Sequence, residues 1–556
     1  MENKKITIQD KYNKYLADLL EEKLFESASN IHAGLVEQFA VTPENARKIV
    51  SRAVKSRVIR SSDPYTFGKG QFVYIRNGYE LGKYAVMAIT QKSRPPIFRL
   101  LEIMDLNNGI ISYYEGLKIT ASPLEESSTK IVALDDIITL LMKLDILYKE
   151  KDKNGVVYLI YKDFKEKRKK EEADIMMASH FLKMVTDCSI LPDILRWLGN
   201  SNLIDFAGVL YRNKKTPQIG VQHYNLIWDA VASSRATGIN PILGAKADSQ
   251  EKQTLAVLDV VLSSDYTQSH LDAFIARIQI TRKSAADQTR KLMPIIIYRS
   301  ATKLTMNIMR KNGIIAFNIS TIFGTKIFHI LNGIKDLSGV FKAADNIDAA
   351  VENILKTISN SGQNDALKEL RGTLFEFLMY PLLKTLYPNA SIDRGRILTM
   401  VHDDGKKENY EYDYIIESSN PPELVLVELK GYNASATINL GDSSKHSTLR
   451  WFFRRTLPFA EKYYKSTIEK SKQIKAVFIT SANFYEDGRE FISKMNNSKY
   501  ISTQLNTGYE REELLALLKK FGFESEIRII KKFYAGTDQE EFEMVIPSKE
   551  PDDLPF

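Results

Sequence analysis

The sequence predicts a multidomain chain that combines α+β with α/β structure. Three observations lead there. The N-terminal part twice shows short amphipathic helices followed by a turn-centred pair of strands. The middle alternates short apolar runs with helical stretches. The C-terminal third carries an alternating Leu/Val strand that ends on Glu428 and Lys430. At 556 residues the chain exceeds a single core, and its length suggests roughly three or four domains.

Composition bounds the function. Hydrophobic residues make up 44% and charged residues 26%, values of an ordinary globular protein. No apolar run approaches the ~18–20 residues that span a bilayer, so no membrane partner is expected. Met1 to Lys5 has no apolar segment behind it, which argues against a secretory signal. A single cysteine, Cys188, excludes an intramolecular disulfide and a cysteine-based zinc site, and the expected compartment is a reducing cytoplasm. The net charge of +8 is mild for this length but unevenly spread. Between Pro43 and Arg60 six basic residues (Arg47, Lys48, Arg52, Lys55, Arg57, Arg60) stand against one acid, Glu44. Residues 536–556 read as an acidic tail with Pro547, Pro551 and Pro555.

The elements follow in order. Residues 10–25 and Ile31 to Ala40 are helical in pattern. Thr42 before Pro43 marks a third helix start, a hydroxyl for the orphan N–H groups and a proline at the first helical position. Ala46, Ile49, Val50 and Ala53 form its apolar stripe, and Arg47, Lys48, Ser51, Arg52 and Lys55 lie off it. Tyr65 to Ile75, with Gly68-Lys69-Gly70, reads as a hairpin. Residues 1–80 thus resemble a winged-helix domain, a helix-turn-helix variant whose third helix enters the major groove. That resemblance implies DNA contacts from Arg47, Lys48, Ser51, Arg52 and Lys55, with Lys69 in the wing. Residues 81–170 resemble a second copy: an apolar segment around Phe98 to Met104, a loop, a helix Leu134 to Leu144, and a hairpin around Asn154-Gly155. Lys162 to Glu172 reads as an exposed helical linker.

Residues 185–345 read as a central α/β domain. Thr254 to Leu262, Met293 to Tyr298 and Ile314 to Ile319 suit buried parallel strands. No GxxxxGK[ST] or GxGxxG motif is present, so no nucleotide-driven motor is visible. Asn420-Pro421-Pro422 resembles an amino-methyltransferase tripeptide, but Glu423 stands where an aromatic is needed, and a loop between strands is the better reading.

Residues 350–535 carry the candidate chemistry. Residues 366–387 predict an apolar helix around a lone acid, Glu376, with Pro381 expected to kink or divide it. A strand Tyr410 to Glu417 carries Asp413, and a strand Leu424 to Gly431 carries Glu428 and Lys430. Residues two apart on a strand leave the same face. Two carboxylates with a lysine make a hard-oxygen site for Mg²⁺ or Mn²⁺, which could stabilise a phosphodiester's charge and activate a water. The lysine would orient or deprotonate that water. Glu-x-Lys alone is no evidence, since Glu2-Asn3-Lys4 occurs in the same chain. The context is: charges at the end of an apolar central strand are costly unless used.

The order helix-Glu, strand, strand-Asp, strand-Glu-x-Lys, helix, strand resembles the PD-(D/E)xK, or restriction-endonuclease-like, nucleases. The resemblance implies Asp413 and Glu428 as metal ligands, the Leu429 carbonyl as a further one, Lys430 as the catalytic lysine and Glu376 as the helix acid adjoining the metal. Tyr412 stands where the motif has proline. The helix expected over 445–465 offers Lys445, His446, Arg450 and Arg454 for phosphate contacts. A weaker likeness runs inside the chain: Asp229 would mirror Asp413 and Val261 would stand in the lysine's place, making the central domain a degenerate nuclease-like copy, with a plain α/β fold equally open.

The sequence therefore predicts a Mg²⁺-dependent endodeoxyribonuclease acting on double-stranded DNA, with a layout resembling type IIS restriction endonucleases or anti-phage defence nucleases. One such site cuts one strand, so a homodimer is expected for double-strand cleavage. The alternatives are a non-catalytic DNA-binding regulator retaining the nuclease fold, or a nuclease for RNA or branched DNA.

Overall fold

The computed structural model describes residues 8–67, 72–124, 133–152, 154–162, 167–205, 208–234, 254–284, 292–340, 346–402, 407–441, 448–465 and 472–535. The chain is a mixed α/β protein of several sheets and separates into two compact units, Met1–Ile327 and Phe328–Phe556.

In the first unit, the helices Ile8–Glu22, Ala28–Phe39 and Pro43–Lys55 pack with the strands Phe25–Ser27, Ile59–Ser61 and Val73–Arg76. The Val73 strand lies between the other two, antiparallel to both. Thr42 caps the third helix by accepting from the Asn45 N–H, with Pro43 in its first turn. Ala46, Ile49, Val50 and Ala53 are buried against Leu16, Leu20, Ile31 and Leu35. The expected Gly68-Lys69-Gly70 turn lies outside the described residues.

The next segment repeats this order. After an additional helix, Lys83–Ser93, come the helix Pro95–Leu106, the strand Ile110–Ser112, the helices Tyr113–Thr120 and Leu134–Lys143, and the hairpin Leu147–Lys151/Val157–Tyr161. The last strand again lies in the middle of three. The region expected as a loop after Met104 therefore contains a strand and a helix. The overlooked signal is Ser112-x-x-Glu115, a capping box in which each side chain satisfies the other's backbone N–H. The charged segment expected as an exposed helical linker opens a helix, Lys167–Ser189, whose later residues Ala173, Met177 and Met184 are buried against Tyr158 and Ile160. Apolar residues beyond the charged run decide its place.

The central sheet runs Ile315–Asn318, Leu292–Tyr298, Thr254–Val261, Ala230–Ser234, Leu210–Tyr211. The first three strands, the three apolar runs of the sequence, are mutually parallel; the last two steps are antiparallel. Every residue of Thr254–Val261 is buried, as expected for a parallel strand covered on both faces.

The second unit has a sheet of the same pairing pattern: Ser391–Val401, Lys407–Ser419 and Pro422–Lys430 joined antiparallel, then Gln473–Thr480 and Gly508–Tyr509 joined parallel. The helix Lys368–Leu386 is continuous through Pro381, so the proline does not divide it. Phe375, Leu378, Leu382 and Leu383 are buried on both sides of the proline, and that packing outweighs the lost N–H. The helix after the Glu428 strand begins at Leu449, with a π-helical turn Phe452–Thr456 just before Pro458. Wider turns of this kind accommodate an interrupted ladder.

Ser112→Ala removes the cap of the helix Tyr113–Thr120 and is expected to lower stability by about 1 kcal/mol. The urea midpoint of the full chain measures this, and an unchanged midpoint would show the cap to be dispensable.

Candidate active site

The antiparallel ladder between the Asp413 and Glu428 strands ends at the pair Tyr414–Val427. One residue further on each strand stand Asp413 and Glu428. Here a side chain replaces the backbone: Asp413 Oδ2 accepts the Leu429 N–H at 2.7 Å. The carboxylate is thereby inserted at the strand end, with only 8% of the residue exposed. An ionised carboxylate bound to a backbone N–H is a strong acceptor, so this bond fixes the Asp413 position relative to Glu428 and Leu429.

Lys430 Nζ donates to Glu428 Oε1 at 2.5 Å, and both side chains are about one-sixth exposed, 17% each. Burial works to lower the Lys430 pKa, but the Glu428 and Asp413 carboxylates outweigh it and raise it well above the usual range. Lys430 is thus a fixed ammonium at neutral pH. Orienting water and balancing phosphate charge both fit this state.

Glu376 is buried, 7% exposed, on the helix that crosses the end of the Glu428 strand. A Cβ at Gly431 would lie 2.4 Å from the Phe375 Cβ, so glycine permits this close crossing. The Tyr414 hydroxyl donates to the Glu376 carbonyl at 3.0 Å. The Glu376 carboxylate pairs with Arg394 at 3.3 Å, and that guanidinium lies 3.6 Å from the Phe377 ring centroid. Among the described residues no three carboxylate, imidazole or thiol groups converge to hold a metal by themselves, so Glu376 does not complete a ready cluster with Asp413 and Glu428. The donor set that fits a hard divalent cation is Asp413, Glu428 and the Leu429 carbonyl, the remaining positions being filled by water or phosphate oxygen.

Tyr412, in the motif's proline position, is buried and donates its hydroxyl to the Thr456 carbonyl in the π-helical turn at 2.6 Å. It anchors the following helix to the sheet. Arg450 and Arg454 are exposed there, with Arg454 over the Phe491 ring; Lys445 and His446 lie outside the described residues, as does Lys69. Arg47, Lys48, Ser51, Arg52 and Lys55 are all exposed on the helix Pro43–Lys55.

Residues the sequence did not single out hold the site's rim. Arg371 donates to Asn433 Oδ1 and the Phe533 carbonyl, Arg511 to the Ser481 and Tyr534 carbonyls, and the Tyr534 hydroxyl to the Arg371 carbonyl. These tie the segment after Lys430 to the helix Glu524–Phe533. No local motif marks them, because their partners, mostly backbone carbonyls, are distant in the chain.

Asp229, the expected counterpart of Asp413, also accepts a backbone N–H, from Val260 at 2.7 Å. Its carboxylate is otherwise bound by Lys118 at 2.5 Å, Arg212 at 3.2 Å and the Tyr114 hydroxyl at 2.7 Å.

No protein-family model matches the chain, and no curated protein does. Among solved structures, one of Can2 from Sulfobacillus thermosulfidooxidans in complex with cyclic tetra-adenylate is 12% identical, covers 45% of this chain and 55% of that one, and has a TM-score of 0.16. The match thus spans about half of that chain. At this TM-score the likeness carries no argument about fold or activity.

Asp413→Asn keeps an acceptor for the Leu429 N–H and is expected to leave stability near wild type. Asp413→Ala orphans that N–H and should cost about 1–3 kcal/mol. Equal urea midpoints for the two variants would remove the positioning role of Asp413. The Lys430 pKa is raised on folding, so its ion-pair contribution is full below the unfolded value and lost only as pH rises through the folded one. The stability difference between wild type and Lys430→Met should therefore stay constant from about pH 6 to about pH 9; a slope there would mean that the ammonium titrates.

Proposed function

We propose that the protein is a divalent-metal-dependent nuclease that hydrolyses phosphodiester bonds of double-stranded DNA at Asp413, Glu428 and Lys430. The observation that carries this reading is the geometry at the ladder's end. Asp413 is pinned there by the Leu429 N–H, and Glu428 beside it is held by the Lys430 ammonium. In this reading Asp413, Glu428 and the Leu429 carbonyl hold Mg²⁺ or Mn²⁺, which supplies positive charge to the phosphate and acidity to a bound water. Lys430 then orients the attacking water and offsets phosphate charge, while Glu376, steadied by Arg394, shapes the adjoining wall.

The two N-terminal helix-and-strand modules have the order of winged helices, and the exposed basic face of Pro43–Lys55 supports duplex contact by the first. With one such centre per chain, a double-strand break needs two chains. A non-catalytic regulator is the second reading. It is favoured by the ion pair that Glu376 makes with Arg394.

Plasmid incubated with Mg²⁺ or Mn²⁺ should be cut by the full chain, with none cut in EDTA. Asp413→Asn and Lys430→Gln should each lose about 100-fold or more. Uncut plasmid under all conditions favours the regulator, and cutting unaffected by both substitutions moves the site elsewhere. In parallel, Lys48→Glu with Arg52→Glu should weaken duplex binding and reduce the salt slope by about 1 per lost phosphate contact. An unchanged slope would take DNA away from this helix.

A further inference from the structure

Several exposed arginines of the second unit are neutralised by carboxylates. Arg396 pairs with Asp393 at 2.9 Å, Arg489 with Glu510 at 2.9 Å and Arg528 with Glu352 at 2.8 Å. Each pair fills part of the guanidinium's donor fork and offsets its charge.

Arg455 differs. It is exposed in the π-helical turn Phe452–Thr456, and its Nε donates to the Tyr410 hydroxyl at 2.7 Å. Its guanidinium lies 5.0 Å from the Trp451 ring centroid, within the range of a cation–π contact. Neither partner is an anion. Among the described residues no carboxylate forms an ion pair with Arg455, and no acceptor takes its Nη1 or Nη2. The guanidinium is thus held at its Nε edge and on one face, while the ends of the fork keep their donors and their charge. A planar fork fixed in this way matches the oxygens of a phosphate.

The acceptor is fixed as well. A phenol has one proton to give. Tyr410 gives it to Glu408 Oε1 at 2.8 Å, and Glu408 Oε2 bonds His402 at 3.0 Å. The Tyr410 oxygen therefore turns its lone pairs to Arg455. Its ring lies between Trp451 and Phe459, with centroids 5.8 and 4.8 Å away. Glu408 attracts Arg455 through space, but both of its oxygens are engaged by Tyr410 and His402. The same strand grips the turn a second time, where the Tyr412 hydroxyl donates to the Thr456 carbonyl. Tyr410 stands three residues before Asp413 on that strand, roughly 10 Å along it.

We propose that Arg455 contacts a backbone phosphate of double-stranded DNA, a few nucleotides from the phosphate at the Asp413 centre, and that Glu408 and Tyr410 orient it for this. Glu408 fixes the phenol, the phenol fixes the guanidinium, and Trp451 supports its face. The inference rests on the duplex-binding part of the reading above, and its test involves no cleavage.

Binding of a fluorescein-labelled DNA duplex by the full chain in EDTA, over a range of salt, examines it. Arg455→Ala should weaken binding about fivefold or more and reduce the salt slope by about 1. Tyr410→Phe keeps the ring and loses the acceptor. It should weaken binding about threefold in the wild-type background, with no further loss when combined with Arg455→Ala. Unchanged affinity and slope in Arg455→Ala overturns the phosphate contact. Equal weakening by Tyr410→Phe in both backgrounds overturns the orienting role. Plasmid left uncut in Mg²⁺ together with Arg455-dependent duplex binding counts against the nuclease and supports this contact. Wild-type plasmid cutting with Arg455-independent binding does the reverse.

Discussion

The site in the second unit depends on one hydrogen bond, from the Leu429 N–H to the Asp413 carboxylate. In a regular ladder a backbone carbonyl would take that N–H. Substituting a side chain ends the pairing, frees the strands to diverge, and places a charged oxygen beside Glu428. An unpaired buried N–H costs free energy, so the bond ties the position of Asp413 to the stability of the fold. Lys430 balances the two carboxylates.

The same device at Asp229 and Val260 has a different outcome. There burial is deeper, and burial alone would raise the Asp259 pKa, but Lys118 and Arg277 hold it well below the usual range. Isolated buried carboxylates are unstable, and paired ones need good geometry and full hydrogen bonding. The first unit meets that need with lysine and arginine from three separate segments. One strand-end motif thus supports either a charge centre about one-sixth exposed or a fully buried ionic junction, according to which helices pack over it.

What surrounds each centre follows from packing. The π-helical turn at Phe452–Thr456 places the Thr456 carbonyl on Tyr412. The crossing at Gly431 brings Phe375, and with it Glu376, close to the end of the Glu428 strand. Arg371, Arg511 and Tyr534 then bind the segment that follows Lys430 to the last described helix.

The sequence by itself determined the elements whose signals are local. These are the Thr42-Pro43 helix start, the apolar stripe Ala46 to Ala53, the three apolar parallel strands, and the alternation that sets Glu428 and Lys430 together at a strand's end. Such patterns need only neighbours within a turn or a strand. Tertiary structure decided the rest. The helix through Pro381 is held by apolar flanks on both sides, and the Lys167–Ser189 helix is fixed by methionines that meet strands far back in the chain. The partner of Asp229 proved to be Lys118, more than a hundred residues away, and Glu376 was assigned to Arg394 by packing against Phe377. Charge pairing across such distances has no period in the sequence, because it is set by which surfaces come to lie against one another.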